Sequence, residues 1–184
     1  MIASLSGTFD TSPTFGLQGT YISAVVQNGA TLDFYSQFSV LSAAASHDPL
    51  DGISRISLVS FGDFLTDVSY DSTGATATSL GLGVQGNQAP SSADRSLSGG
   101  TVGFNFAVAG GGEVVAGETS NWLRVGTNAT AYTQGVIGFI NGGAGSGSNG
   151  IFTPIPEPAT GLFGLALLGI VTAARPRRSR EPAV

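Results

Sequence analysis

Tyr21-Ile22-Ser23-Ala24-Val25-Val26-Gln27-Asn28-Gly29-Ala30-Thr31-Leu32-Asp33-Phe34-Tyr35-Ser36-Gln37-Phe38-Ser39-Val40 is the stretch whose reading decides the fold. In its second half Leu32, Phe34, Phe38 and Val40 alternate with Asp33, Tyr35, Gln37 and Ser39. Successive side chains of a strand point to opposite faces, so this spacing specifies a strand with one apolar and one polar face. Residues 21–26 read as its partner, and Asn28-Gly29 lies between the two. Both of those residues tolerate the positive φ of a type I′ turn, so the segment is expected to be an antiparallel hairpin.

The same pattern recurs on either side of the hairpin. Val102, Phe104, Phe106 and Val108 alternate with Thr101, Gly103, Asn105 and Ala107. Further strands are expected near residues 5–9, 53–61, 64–70, 75–84, 122–125 and 136–140. Turn clusters separate them: His47-Asp48-Pro49, Asp71-Ser72-Thr73-Gly74, Gly86-Asn87-Gln88-Ala89-Pro90 and Gly110-Gly111-Gly112. Short strands at this spacing predict an all-β domain over residues 1–140, an antiparallel β-sandwich of jelly-roll type. Residues 141–150 hold five Gly, two Ser and two Asn. Such a stretch is expected to be a flexible linker, extending over residues 141–153.

Composition narrows the chemistry. The 184 residues suffice for one domain and a tail. Only 10% of residues are charged and 28 are Gly, which suits a turn-rich β protein. Up to Thr153 there are three arginines against ten acidic residues, a net −7, and the chain has no lysine. A domain so charged offers no basic surface for nucleic acid or anionic lipid. The absence of cysteine excludes disulfides, thiolate metal sites and thiol nucleophiles.

Candidate chemical groups are few, and each has a simpler reading. His47, the sole histidine, precedes Asp48-Pro49 and reads as a loop residue. No Gly-x-Ser-x-Gly elbow accompanies it to suggest a hydrolase triad. Asp63, Asp67 and Asp71 recur every four residues, but four residues of strand span about 13 Å, too far to share one calcium ion. Asp48 and Asp51 are the better calcium candidates, although turn chemistry explains them as well. Glu113 and Glu118 could form a glycosidase pair only if the strand broke at Gly117. Trp122 is the carbohydrate candidate, with Tyr35 or Tyr21 as helpers, because sugar rings stack on exposed aromatics. Asn128-Ala129-Thr130 matches a glycosylation sequon and reads as incidental. No cofactor is called for.

The last 31 residues are of another kind. Pro154-Ile155-Pro156-Glu157-Pro158 breaks the β pattern, an apolar run covers residues 159–174, and Arg175, Arg177, Arg178 and Arg180 follow. The sixteen apolar positions carry no charge and show no polar face. As a helix they would span about 24 Å, a short transmembrane segment that arginine snorkelling can extend. The arginines after the run would lie in the cytoplasm, which places the β domain on the far side of the membrane. Such a topology requires an export signal. Residues 1–10 contain no basic, apolar and small-residue succession, so the true start is expected to lie upstream of Met1.

Residues 154–180 resemble a PEP-CTERM sorting domain, the tripartite C-terminal signal of exported proteins in many exopolysaccharide-producing Gram-negative bacteria. The resemblance rests on Pro156-Glu157-Pro158, the apolar run beginning Ala159-Thr160-Gly161-Leu162-Phe163, and the arginine cluster, about 27 of 184 residues. It implies a membrane-embedded exosortase that recognises Pro156, Glu157 and Pro158 and cleaves nearby after export. Residues 181–184 form an extra short tail. The expectation is an exported, non-enzymatic protein. It would sit in the inner membrane as a precursor, and later at the cell surface or in the extracellular matrix, with extracellular polysaccharide as an expected partner. A carbohydrate-binding module on the same scaffold is the alternative, and an unrecognised hydrolase the third reading.

Overall fold

The structure, a computed structural model, describes residues 1–11, 16–43, 52–106, 112–141 and 144–156. These form two five-stranded antiparallel sheets with almost no helix. The first sheet has the order β1-β2-β3-β8-β5, built from Ala3–Asp10, Gln18–Asn28, Thr31–Ser42, Trp122–Thr127 and Thr66–Asp71. The second has the order β10-β9-β4-β7-β6, built from Ala144–Ile155, Ala131–Asn141, Arg55–Val59, Thr101–Asn105 and Ser92–Arg95.

The alternation read in the sequence sets which face each residue takes. On β3, Leu32, Phe34, Phe38 and Val40 are buried in the space shared by the sheets. Val102 and Phe104 of β7, Ile56 and Leu58 of β4, and Ile137 and Phe139 of β9 join the same core from the other side. Its centre is aromatic. Phe9 stacks on Phe139 at a ring separation of 4.0 Å, and Phe38 meets Phe139 and Phe106 edge-on at 5.6 and 5.4 Å. Two of these rings belong to the first sheet and one to β9 of the second, with Phe106 just beyond β7. The sheets are therefore joined by direct ring contact.

The β2–β3 hairpin forms with one difference. Asn28 pairs with Thr31, so the tight turn is Gly29-Ala30, one residue later than expected. Gly29 alone takes a left-handed φ of 62°, which fits a II′-type turn better than the I′ type.

The structure differs from the sequence reading at three further places. Residues 75–84 are not a strand: Ala75–Leu80 is a short helix, α1, closed by Gly81 at φ 65°. Asp71 starts that helix by accepting bonds from the backbone and hydroxyl of Thr73 and from the backbone N–H of Thr76. Ser92–Arg95 forms β6, although its polar sequence carries no alternation.

The third difference bears on function. The expected linker does not exist as such, because Ala144–Ile155 is β10, paired along its length with β9. Small residues allow this close pairing. A Cβ on Gly135 would stand 2.3 Å from the side chain of Thr153, its diagonal neighbour on β10. Ile151, Phe152 and Thr153 are buried, and the Phe152 N–H donates to Ser23 Oγ of the other sheet at 3.1 Å. The folded body thus runs to Ile155, beyond the expected boundary at residue 140.

Two outcomes follow for stability. Phe139→Ala removes the ring at the centre of the stack and should cost about 3–5 kcal/mol in urea denaturation. A chain ended after Asn141 should lose the cooperative thermal transition that a chain ended after Pro156 retains, as read by near-ultraviolet circular dichroism. Equal cooperativity in both would refute the structural role of β10.

Candidate functional site: the end of the body that leads into the tail

The strand directions gather one set of connections at the end where β10 finishes. The register places there the Gly29-Ala30 turn, the 60–65 loop between β4 and β5, the 96–100 turn between β6 and β7, and residues 128–130. Pro154 pairs with Tyr132 and Ile155 with Ala131. Proline is tolerated here because β10 is an edge strand, with one side free of ladder bonds. Exposure rises stepwise along the exit: Thr153 and Pro154 are buried, Ile155 is half-buried, and Pro156 is exposed.

Neighbouring loops are clamped to this exit. Arg95 donates from Nη2 to the carbonyls of Phe61 and Phe64, both at 2.7 Å, and from Nε to that of Gly99 at 2.9 Å. The Leu65 N–H donates to Asn128 Oδ1 at 2.9 Å. Ser60 holds a left-handed φ of 75°, unusual for a side chain with a Cβ. A cleft of about 390 Å³ opens between this loop and the departing strand, lined by Asp63, Phe64, Thr133, Gln134 and Pro154 to Pro156. Leu65 and Leu97 project from the same end, Leu65 three-quarters exposed and Leu97 fully so.

A second cleft at this end, of about 330 Å³, is lined largely by polar residues, among them Asn28, Asp33, Asp67 and Arg124. Arg124 donates from Nε to the buried Asp33 at 2.8 Å and from Nη1 to the exposed Asp67 at 3.3 Å. Asn28 Nδ2 adds a bond to Asp33 at 3.2 Å. Hydrogen bonding to Asp33 raises the Arg124 pKa further, so this guanidinium stays charged. Along one side of the body, β5 and β6 leave a seam of about 460 Å³ between the sheets. Val68, Tyr70, Pro90 and Phe104 line it, with Tyr70 half exposed.

The residues singled out from sequence fare differently. Of the sorting triplet, Pro156 is described; Glu157 and Pro158 lie outside the described residues, as do the apolar run 159–174 and Arg175, Arg177, Arg178 and Arg180. His47, Asp48 and Asp51 also lie outside them. Trp122 is corrected. It is buried on the outer side of β8, under the loop after α1, where a Cβ on Gly83 would come within 2.8 Å of its ring. It presents no stacking face to a sugar, and Tyr21 is buried in the core. Tyr35 stays half-buried, edge-on to Trp122 at 6.5 Å.

The carboxylates have structural duties. Glu113 accepts the Gly52 N–H at 2.8 Å, and Glu118 accepts from Gln88 and the Val115 N–H. Asp67 and Asp71 share the outer side of β5, where Asp67 faces Arg124 and Asp71 caps the turn into α1. Among the described residues, no three acidic or histidine side chains converge as metal ligands would. No described helix is long and apolar enough to cross a membrane.

The Arg95 clamp and the Asp33–Arg124 pair were not anticipated, because both join residues far apart in sequence. Leu97 carried a signal: it interrupts Ser96-Leu97-Ser98-Gly99-Gly100, a turn sequence with no apolar period to explain it. Against known proteins the chain finds no match, since no protein-family model, curated protein or solved structure is similar to it.

Acid sensitivity follows from the paired carboxylates. Hydrogen bonds from Arg55 and Asn105 hold Asp94 at about 2, and bonds from Thr73 and Thr76 hold Asp71 well below the usual carboxylate range. A lowered folded-state pKa gives stability that is full above the unfolded value near 4 and is lost as protonation proceeds below it. The urea midpoint should therefore fall as the pH drops from about 4 towards 2. Asp94→Asn should flatten part of that slope, and an unchanged slope would remove Asp94 from the account.

Proposed function

We propose that this protein is an exported, non-enzymatic surface or matrix protein whose two-sheet body is a β-sandwich of jelly-roll type. Its C-terminal tail would be a PEP-CTERM-like sorting signal. One observation carries the reading: Pro156-Glu157-Pro158, the uncharged run 159–174 and Arg175, Arg177, Arg178 and Arg180 follow one another without interruption. Each part has a physical task. The run is long enough to enter a bilayer as a helix, and the arginines fix its direction. The prolines keep the triplet extended and without ladder bonds, so it stays open to a membrane-embedded exosortase.

The body supports a non-enzymatic role in what it commits. All three arginines before the tail are tied to carboxylates or carbonyls, and Glu113 and Glu118 hold backbone and amide donors. The carbohydrate alternative now rests on Tyr70, the half-exposed aromatic at the mouth of the β5–β6 seam, in place of Trp122. Binding on a glycan array that is lost in Tyr70→Ala would favour it.

Processing gives the direct test. In a host that carries an exosortase, intact-mass analysis should find a mature species ending near Pro156-Glu157-Pro158, without residues 159–184. A mature species that keeps those residues would reduce the tail to a plain anchor.

A further inference from the structure

We infer that in the membrane-held precursor the body stands end-on against a zwitterionic lipid surface, with Leu65 and Leu97 in contact with it. The inference rests on the proposed insertion of residues 159–174, and it follows from how little chain lies between that segment and the fold. Ile155 is still paired in β10, and only Pro156, Glu157 and Pro158 separate it from Ala159. Four steps of fully extended chain reach about 14 Å at most. The headgroup layer alone is roughly 6 Å deep, so the exit end of the body is held at the bilayer surface. A run of about 24 Å in a core of about 30 Å draws its flanks inward and shortens the gap further.

The side chains at that end fit such a contact. Leu97 tops the 96–100 turn, and Leu65 follows the 60–64 loop. Arg95 ties these two connections together through Phe61, Phe64 and Gly99, so the leucines are presented as a fixed pair. Apolar tips of this kind settle in the interfacial zone, where their burial adds to the tail's hold. Asp33, Asp63 and Asp67 stand at this end against Arg95 and Arg124, and with Asp67 and Asp33 paired to Arg124 the end carries no positive excess to draw anionic headgroups. The surface is therefore matched to neutral phosphatidylethanolamine or phosphatidylcholine.

Because the chain has no cysteine, single labels can be introduced cleanly. The full chain would be reconstituted in phosphatidylethanolamine–phosphatidylcholine vesicles containing nitroxide lipids. It would carry a fluorophore at Leu65→Cys, Leu97→Cys, Leu41→Cys at the opposite end, or Leu167→Cys in the tail. Headgroup nitroxides should quench positions 65 and 97 several-fold more than position 41, and acyl-chain nitroxides should quench position 167. Equal, weak quenching at 65, 97 and 41 with a quenched 167 would overturn the end-on contact while leaving the tail inserted. An unquenched 167 would overturn tail insertion itself, and the contact with it.

Discussion

The stacking of Phe9 on Phe139 is the contact on which the rest of the structure depends. Phe9 comes from an edge-facing strand of one sheet and Phe139 from the interior of the other, with Phe38 and Phe106 completing the cluster. Each buried ring removes roughly 150–250 Å² from water, several kcal/mol apiece on area bookkeeping. Separated, each sheet would expose a continuous apolar face. The cluster also dictates a distant choice of residue: a Cβ on Gly19 would stand 2.3 Å from the Phe9 ring, so only glycine fits beside it.

Charge is used sparingly and where apolar packing is thin. β6 is exposed along its whole length and has no core residue to hold it. Arg55 of β4 reaches across to Asp94 of β6, and Asn105 of β7 adds a second donor. Exposed ion pairs are individually weak, so β6 is held chiefly by its ladder with β7. Arg124 secures β5 in the same way through Asp67, while its stronger bond to buried Asp33 anchors it to β3. Arg95 differs from the other two in that its printed bonds go to loop carbonyls, so it clamps the turns without a carboxylate partner.

How far the sequence could be read depended on whether local residues carried the information. Alternation on β3 and β7 was legible because half-buried strands must separate apolar from polar side chains, and the β2–β3 turn announced itself through Gly29. Residues 75–80 failed because Thr and Ala in alternation suit a strand, while bonds to Asp71 start a short helix instead and the left-handed Gly81 ends it. β10 failed for the opposite reason. Its Gly and Ser residues have no strand preference of their own, and the pairing is supplied by β9 and by burial of Ile151 and Phe152. The polar cleft was invisible because Asp33 and Arg124 are 91 positions apart.

The replacement of a tether by a strand alters what a processing enzyme would meet. A flexible linker would let the body drift and leave several residues before the triplet free to be gripped. Instead Thr153 and Pro154 are buried and Ile155 is paired, so the extended chain offered before Glu157 is Pro156 alone. Under the proposed sorting reading, recognition must then draw on the triplet and on the apolar segment after it. Contacts further upstream would require β10 to peel from β9, exposing Ile151 and Phe152 to water at a cost of about 1.5–3 kcal/mol each. On that reading the folded body would act as a stop on the N-terminal side of the signal, and its own stability would set how much of the chain a membrane-bound partner could reach.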